Sequence, residues 1–249
     1  MTLYARETLE AYGLTRPIWM NETGIPTWDD YPGPVWEPDS LKRGTLDQQA
    51  IFLLQSATFA WSEGAEKVFY HQLYDDCGDQ PAGTDFPPHS GNLCRGDAPC
   101  FGDAFGIYRN LDSALCFSQH PQPGTARPVA EAYHLLAQVF GAEPFADGTR
   151  VYLDPNIVTL TFSRPETDER ISVIWNETIE VRPVTWPAVG TNGQLITLGE
   201  TTLIEPDDAG NYVIPLPPAQ PDIDQSASPG GGVAIGGMPY ILIEQIGAE

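Results

Sequence analysis

Three segments within the first 141 residues have apolar side chains at helical spacing, and each segment ends at a glycine. The three glycines are Gly13, Gly64 and Gly141. Thr45 and Gln48 form the pattern of a capping box at the start of the second segment. Pro128 takes a favoured first helical position in the third segment. The pattern therefore predicts three helices, one before each glycine.

Two short runs between these helices have the character of buried parallel strands. Residues 17–22 (PIWMNE) are an apolar run that ends in polar residues, and residues 67–74 (KVFYHQLY) are rich in aromatic and β-favouring side chains. The order helix, strand, helix, strand, helix is typical of consecutive β/α units. A long connection, residues 75–127, separates the second strand from the third helix.

From about Arg150 the pattern changes to short alternating or β-branched runs that are separated by turn residues. These runs are residues 151–163, 170–177, 179–184, 193–198, 211–216 and 239–244. They predict an antiparallel β-sandwich, in which a flexible loop at 225–237 leads into a strand that closes the sheet. The predicted fold class is α/β plus all-β, with one domain over residues 1–141 and a second over residues 142–249.

Composition excludes several classes of function. The chain has 34 acidic and 12 basic residues and a net charge of -22, so it would repel nucleic acid. No run approaches the roughly 20 apolar residues of a membrane helix, and the N-terminus has no signal-peptide pattern. A nucleophile elbow, a glycine-rich phosphate loop and a His-Glu-x-x-His metal site are absent from the sequence.

Four cysteines lie in one window of the long connection. They are Cys77, Cys94, Cys100 and Cys116. Four cysteines permit three disulfide pairings, of which Cys94 with Cys100 closes an easy short loop. The absence of a Cys-x-x-Cys pair favours disulfides over zinc. Disulfides form in oxidising compartments, so we expect an extracellular, secreted protein.

Glu22 ends the first predicted strand, where parallel barrels carry their catalytic groups. The segment PIWMNETG resembles the seventh strand of a clan of retaining glycoside hydrolases with (β/α)8 barrels, in which Glu-Thr-Gly follows an apolar strand containing Trp. FAWSEGAEKVFYHQLYDD resembles the clan's seventh helix and eighth strand. AFGIYRN and RPVAEAY resemble its final loop and eighth helix, with Arg127 where Lys is common. The β-rich tail resembles the small sandwich beside the barrel in several families of this clan.

The resemblance implies the last two to three β/α units of a TIM-type barrel in a retaining glycoside hydrolase. It implies Glu22 as the nucleophile, a neutral poly- or oligosaccharide as the substrate, and no cofactor. Retention needs a second carboxylic acid about 5 to 5.5 Å away, which in this clan follows the fourth strand and lies outside this chain. Three explanations stay open: a fragment of a longer enzyme, which we favour, a separate chain that supplies the N-terminal barrel half, or a non-catalytic descendant.

Several side chains near the predicted mouth could contact sugar. Trp28 and Trp36 could stack on a sugar face or anchor the loop that follows Glu22, whereas Trp19 and Trp61 are expected in the core. Further candidates around the second strand are Tyr70, His71, Gln72, Tyr74 and Asp75. The nearby acidic residues match no calcium loop, so no metal site is predicted. The alternative function is a non-catalytic carbohydrate-binding or structural module.

Overall fold

The computed structural model describes residues 2–27, 30, 44–75, 105–109, 122–141, 143–220 and 235–247. The helices are α1 (Thr2–Ala11), α2 (Leu46–Ser62) and α3 (Pro128–Phe140). The strands are β1 (Ile18–Thr23), β2 (Ala65–Tyr70), β3 (Ala146–Asp154), β4 (Ile157–Arg164), β5 (Glu169–Asn176), β6 (Arg182–Pro187), β7 (Gly193–Thr197), β8 (Glu200–Ile204), β9 (Asn211–Leu216) and β10 (Tyr240–Gln245). Trp28, Trp36 and the four cysteines lie outside the described residues.

The ends of the helices follow the sequence signals. The Thr45 side chain accepts a hydrogen bond from the backbone N–H of Gln48, and the Gln48 side chain accepts one from the backbone N–H of Thr45, which confirms the predicted capping box of α2. Pro128 begins α3. Gly13 and Gly64 have positive φ angles of 63° and 87°, which glycine adopts most readily. Among the described residues, no helix is long and apolar enough to cross a membrane.

β1 and β2 pair in parallel and are joined through α2, so the predicted β/α order is confirmed at this point. One face of the pair packs on α2, through Met20 of β1 and Val68 of β2. β2 ends at Tyr70, before the predicted end at Tyr74, because residues 71–75 run beside residues 105–109 instead of continuing the pair. In the part of the chain that the structure describes, the two parallel strands form no closed barrel.

The C-terminal part contains a six-stranded antiparallel sheet in the order β3-β4-β5-β10-β7-β8. The strands β6 and β9 form a separate antiparallel pair that packs on one face of this sheet through a shared apolar cluster. The predicted run 151–163 divides into β3 and β4, and β8 is a strand that the pattern did not predict. The last strand, β10, lies in the middle of the sheet between β5 and β7.

The main hydrophobic core spans both halves of the chain. It joins buried residues of α2 and α3, such as Leu53 and Leu136, to the face of the large sheet that carries Leu160 and Ile171. The molecule is therefore layered: the β1–β2 pair, the helices, the six-stranded sheet and the β6–β9 pair. The domain boundary between residues 141 and 142 stays a prediction, since one core crosses it.

Candidate active site

Glu22 lies in a β-bulge at the carboxyl end of β1. Met20 pairs with Val68 and Thr23 pairs with Tyr70, so both Asn21 and Glu22 stand opposite a single residue of β2. Met20 and Thr23 line a groove with α2, whereas Asn21 and Glu22 are exposed. The bulge therefore leaves the Glu22 side chain exposed, outside the groove that Met20 and Thr23 form with α2.

The open face of the parallel pair carries an uncovered aromatic pair. Trp19 is 58% exposed and Phe69 is 48% exposed, and their ring centroids are 6.1 Å apart. The expected core position of Trp19 is therefore not found, because no described element covers this side of β1. Trp61, by contrast, packs beside Phe140 with ring centroids 5.0 Å apart, on the core side of α2.

His71 and Gln72 follow β2 and lie close to the end of β1. The His71 N–H donates to the Thr23 carbonyl oxygen at 2.8 Å, and a Cβ on Gly24 would collide with the His71 carbonyl oxygen. The His71 ring meets Phe105 edge-on at 5.2 Å, and the His71–Gln72 peptide is cis. The Nδ1 atom of His71 and the Nε2 atom of Gln72 are buried without a hydrogen-bond partner among the described residues.

Beneath this surface lies a buried cluster of two carboxylates and two guanidinium groups. The two nitrogens Nη1 and Nη2 of Arg127 each donate to one oxygen of Asp75 at 2.6 Å, and its Nε donates to Asp30 at 2.8 Å. Arg109 also binds Asp30, with its Nη2 2.5 Å from Oδ1. Gly106 donates its backbone N–H to Asp75 at 2.9 Å. The cluster joins the segments that follow β1 and β2 to the start of α3.

The charges of this cluster shift the pKa values of its members in different directions. Burial raises the pKa of Asp75, against the opposing effect of the Arg127 guanidinium. Burial acts in the same way on Asp30, but hydrogen bonds and charges from Arg109 and Arg127 outweigh it and lower the pKa of Asp30. Burial disfavours the charged form of Arg127, and Asp75 outweighs that effect and raises the pKa of Arg127.

The two tyrosines among the predicted binding residues have different environments. Tyr70 is half-buried and its hydroxyl lies in the interior beside Gln49 and the charged cluster, and burial raises the pKa of that hydroxyl. Tyr74 is 41% exposed, and its ring lies 6.0 Å from the ring of Tyr108. Tyr74 therefore presents an aromatic surface at the carboxyl end of β2, and Tyr70 does not.

Asp75 differs from its expected role as a contact to substrate. Its side chain is fully buried, and Arg127 and Gly106 occupy both of its carboxylate oxygens. Sequence reasoning missed Asp30, Arg109 and Arg127 as members of the same cluster. The signal that the sequence offered was Arg127, a basic residue directly before Pro128 at the predicted start of a helix. The connection before it, residues 75–127, contains several acidic residues. Among the described residues, no group of three or more His, Cys, Asp or Glu side chains could hold a metal ion.

A groove runs along the free side of β2. It has a volume of about 560 Å³ and lies between β2 and α3, with Val68, Leu73, Tyr108 and Tyr133 among its lining residues. A parallel sheet normally continues or is covered at such an edge. The edge of β2 and the open face that carries Trp19 are therefore neighbouring unsatisfied surfaces of the same pair of strands.

Several solved structures are similar to this chain. A GH30 endoxylanase from Clostridium papyrosolvens C71 matches 98% of this chain over 45% of its own length, with 9% identity and a TM-score of 0.50. The GH30 subfamily 8 xylanase Xyn30A from Clostridium acetobutylicum matches 95% of this chain with a TM-score of 0.47 and 10% identity, over 44% of its own length. A family 51 α-L-arabinofuranosidase, AbfB from Bifidobacterium longum, gives a TM-score of 0.40 and 14% identity over 98% of this chain and 45% of its own.

No family model matches the sequence, and no curated protein matches it either. At 9% identity, the similarity to the Clostridium papyrosolvens enzyme shows the fold alone. That similarity extends over both the β/α part and the β-rich part of the chain. The chain therefore shares its fold with part of this xylanase and spans about 45% of the xylanase's length.

Proposed function

We propose that this chain is the C-terminal part of a secreted, retaining glycoside hydrolase that acts on a neutral poly- or oligosaccharide, with Glu22 as the nucleophile. The observation that carries the proposal is the position of Glu22, an exposed carboxylate at the carboxyl end of a parallel strand. That end of a parallel sheet is where barrel enzymes place their catalytic groups.

The surroundings of Glu22 suit a nucleophile. A carboxylate that attacks an anomeric carbon must be ionised and accessible. Glu22 is exposed, and among the described residues no cation lies within ion-pair distance of it. Trp19, on the same strand, is also exposed. This combination favours a reacting group over a structural ion pair.

The open face supports the further proposal that the chain is one piece of a longer barrel. Residues that point inward from barrel strands fill the barrel interior. In the proposed barrel, Trp19 and Phe69 would take such positions, since both are exposed on the parallel pair. Additional parallel strands, in the same chain or in a separate N-terminal half, would cover these rings and the edge of β2. They would also supply the acid/base carboxyl group that retention requires.

Sugar binding fits the side chains around this end of the strands. Tyr74 and Tyr108 present partly exposed rings, on which a sugar face could stack. His71 and Gln72 supply buried polar atoms that have no hydrogen-bond partner among the described residues. Trp28 and Trp36 belong to the segment after Glu22 and stay predicted contacts.

The proposal is tested by labelling the native, full-length protein with an activated 2-deoxy-2-fluoro glycoside, whose leaving group needs no general acid. Mass spectrometry of peptides should find the sugar on Glu22, and Glu22→Gln should abolish the label. Glu66→Gln is the matched control, since Glu66 is exposed on the neighbouring strand, and it should be labelled like the wild type. A label on any other carboxylate would refute the assignment.

The exposed aromatic residues also support a second candidate, a non-catalytic carbohydrate-binding module. In that case the folded chain binds soluble polysaccharide in affinity electrophoresis, and Tyr74→Ala, Trp28→Ala or Trp36→Ala weakens the retardation. Tyr152→Ala is the control, because Tyr152 is 76% exposed and belongs to β3, in the β-rich part of the chain. Polysaccharide binding without any glycosyl-enzyme would favour this candidate over the hydrolase.

A further inference from the structure

Two acidic residues meet in the interior although they come from different segments. Asp30 follows β1 and Asp75 follows β2, and their side chains are only 2% and 0% exposed. Two buried carboxylates that lie this close together would repel each other if no cations compensated their charges. Arg109 and Arg127 provide that compensation, and Arg127 contacts both carboxylates.

We propose that Arg127 is a positioning residue that holds the carboxyl ends of β1 and β2 in a fixed relation. Its planar guanidinium reaches Asp30 through Nε and Asp75 through both terminal nitrogens, and Nη1 also donates to the Gly106 carbonyl oxygen at 2.8 Å. A lysine ammonium is a single point charge and cannot span these acceptors in one plane. The geometry therefore needs an arginine.

A short path of backbone hydrogen bonds leads from Arg127 to the residue beside Glu22. The Arg127 N–H donates to Ile107, and the Ile107 N–H donates to Gln72 at 2.8 Å. The neighbouring His71 N–H in turn donates to Thr23. Release of Arg127 would loosen each step of this path. The expected effect of Arg127 on the reactivity of Glu22 rests on the proposed function. The expected effect of Arg127 on these backbone hydrogen bonds does not.

The decisive variant is Arg127→Lys in the native, full-length protein, compared with Arg170→Lys. Arg170 forms a matched ion pair with Glu244, whose side chain is buried, on β5 and β10 of the large sheet. Hydrogen exchange of peptides that cover His71, Ile107 and Arg109 should be faster by a factor of about 10 or more in Arg127→Lys, which corresponds to about 1.4 kcal/mol of local opening free energy. Peptides of β5 and β10 should keep wild-type exchange.

The rate of Glu22 labelling supplies the functional readout. Arg127→Lys should slow labelling at saturating reagent more than it changes the reagent concentration at half-maximal rate, and Arg170→Lys should leave both unchanged. Three results would each overturn the proposal. They are equal labelling rates in the two variants, unchanged exchange at His71 and Ile107 in Arg127→Lys, and exchange in Arg127→Lys that is equally faster throughout β5 and β10.

If Arg127→Lys does not fold, Asp30→Asn gives the same readouts while keeping the Arg127–Asp75 contact. If the wild type is not labelled at Glu22, the proposed function is refuted, and the hydrogen-exchange comparison alone tests the positioning role of Arg127.

Discussion

Arg127 and Asp75 form two parallel hydrogen bonds of 2.6 Å, with both side chains almost completely buried. A guanidinium matches a carboxylate in this way because both groups are planar and offer two atoms at the same spacing. Arg127 immediately precedes α3, and Asp75 follows β2. The contact therefore ties the start of the third helix to the candidate active site.

Removal of the Asp75 charge should destabilise the protein strongly. Asp75→Asn leaves the buried Arg127 without its bidentate acceptor, and breaking a buried ion pair costs about 3 to 5 kcal/mol. Equilibrium denaturation by urea measures the loss. Asp154→Asn is the control, since Asp154 pairs with Arg182 at the surface, where such pairs contribute about 0 to 1 kcal/mol. Equal losses in the two variants would contradict the assigned strength of the buried pair.

Asp30 should make an acid-sensitive contribution to stability. Its pKa in the folded state is lowered from the ordinary value of 3.8, so the contribution is complete above that pH and is lost as the pH falls through the folded value. The difference in unfolding free energy between wild type and Asp30→Asn should therefore be constant at neutral pH and shrink only below about pH 3.8. The raised pKa of Asp75 contributes to the pH dependence of stability with the opposite sign. Comparison of the wild type with Asp30→Asn largely removes that contribution, because both proteins keep Asp75. A difference that disappears near pH 6 would contradict this interpretation.

The local features of the fold could be predicted from the sequence, and the long-range ones could not. The capping box at Thr45 and the start of α3 at Pro128 depend on neighbouring residues, so their signals are local. The central position of β10 depends on pairing with β5 and β7, which lie far away in the chain. The contacts of Arg127 with Asp30 and Asp75 have the same character. A bulge such as the one at Glu22 is visible only in the register of two strands.

Gly24 should tolerate no side chain. A Cβ there would collide with the His71 carbonyl oxygen, which belongs to backbone held by the bond from His71 to Thr23. Gly24→Ala should therefore cost about 1 to 3 kcal/mol in unfolding free energy, the usual range for overpacking. Gly247→Ala is the control, since the nearest atom to its added Cβ, the Val189 carbonyl oxygen, is 3.7 Å away. A thermal unfolding midpoint for Gly24→Ala that equals the control would show that the two strand ends can separate freely.

Trp19 offers a test of whether further strands cover the open face. In the isolated chain Trp19 is 58% exposed, and a substitution at such a surface position changes stability by about 0.5 kcal/mol or less. If a longer protein completes the barrel, Trp19 becomes part of the packed interior, and Trp19→Ala should then cost about 3 to 5 kcal/mol. Trp186 is 3% exposed in the β-rich part and should give the same large loss in both proteins. Urea denaturation of Trp19→Ala and Trp186→Ala, each in the isolated chain and in the longer protein, measures these losses of unfolding free energy. A small cost for Trp19→Ala in the longer protein would mean that its additional residues do not pack on β1, and that Glu22 faces no barrel interior.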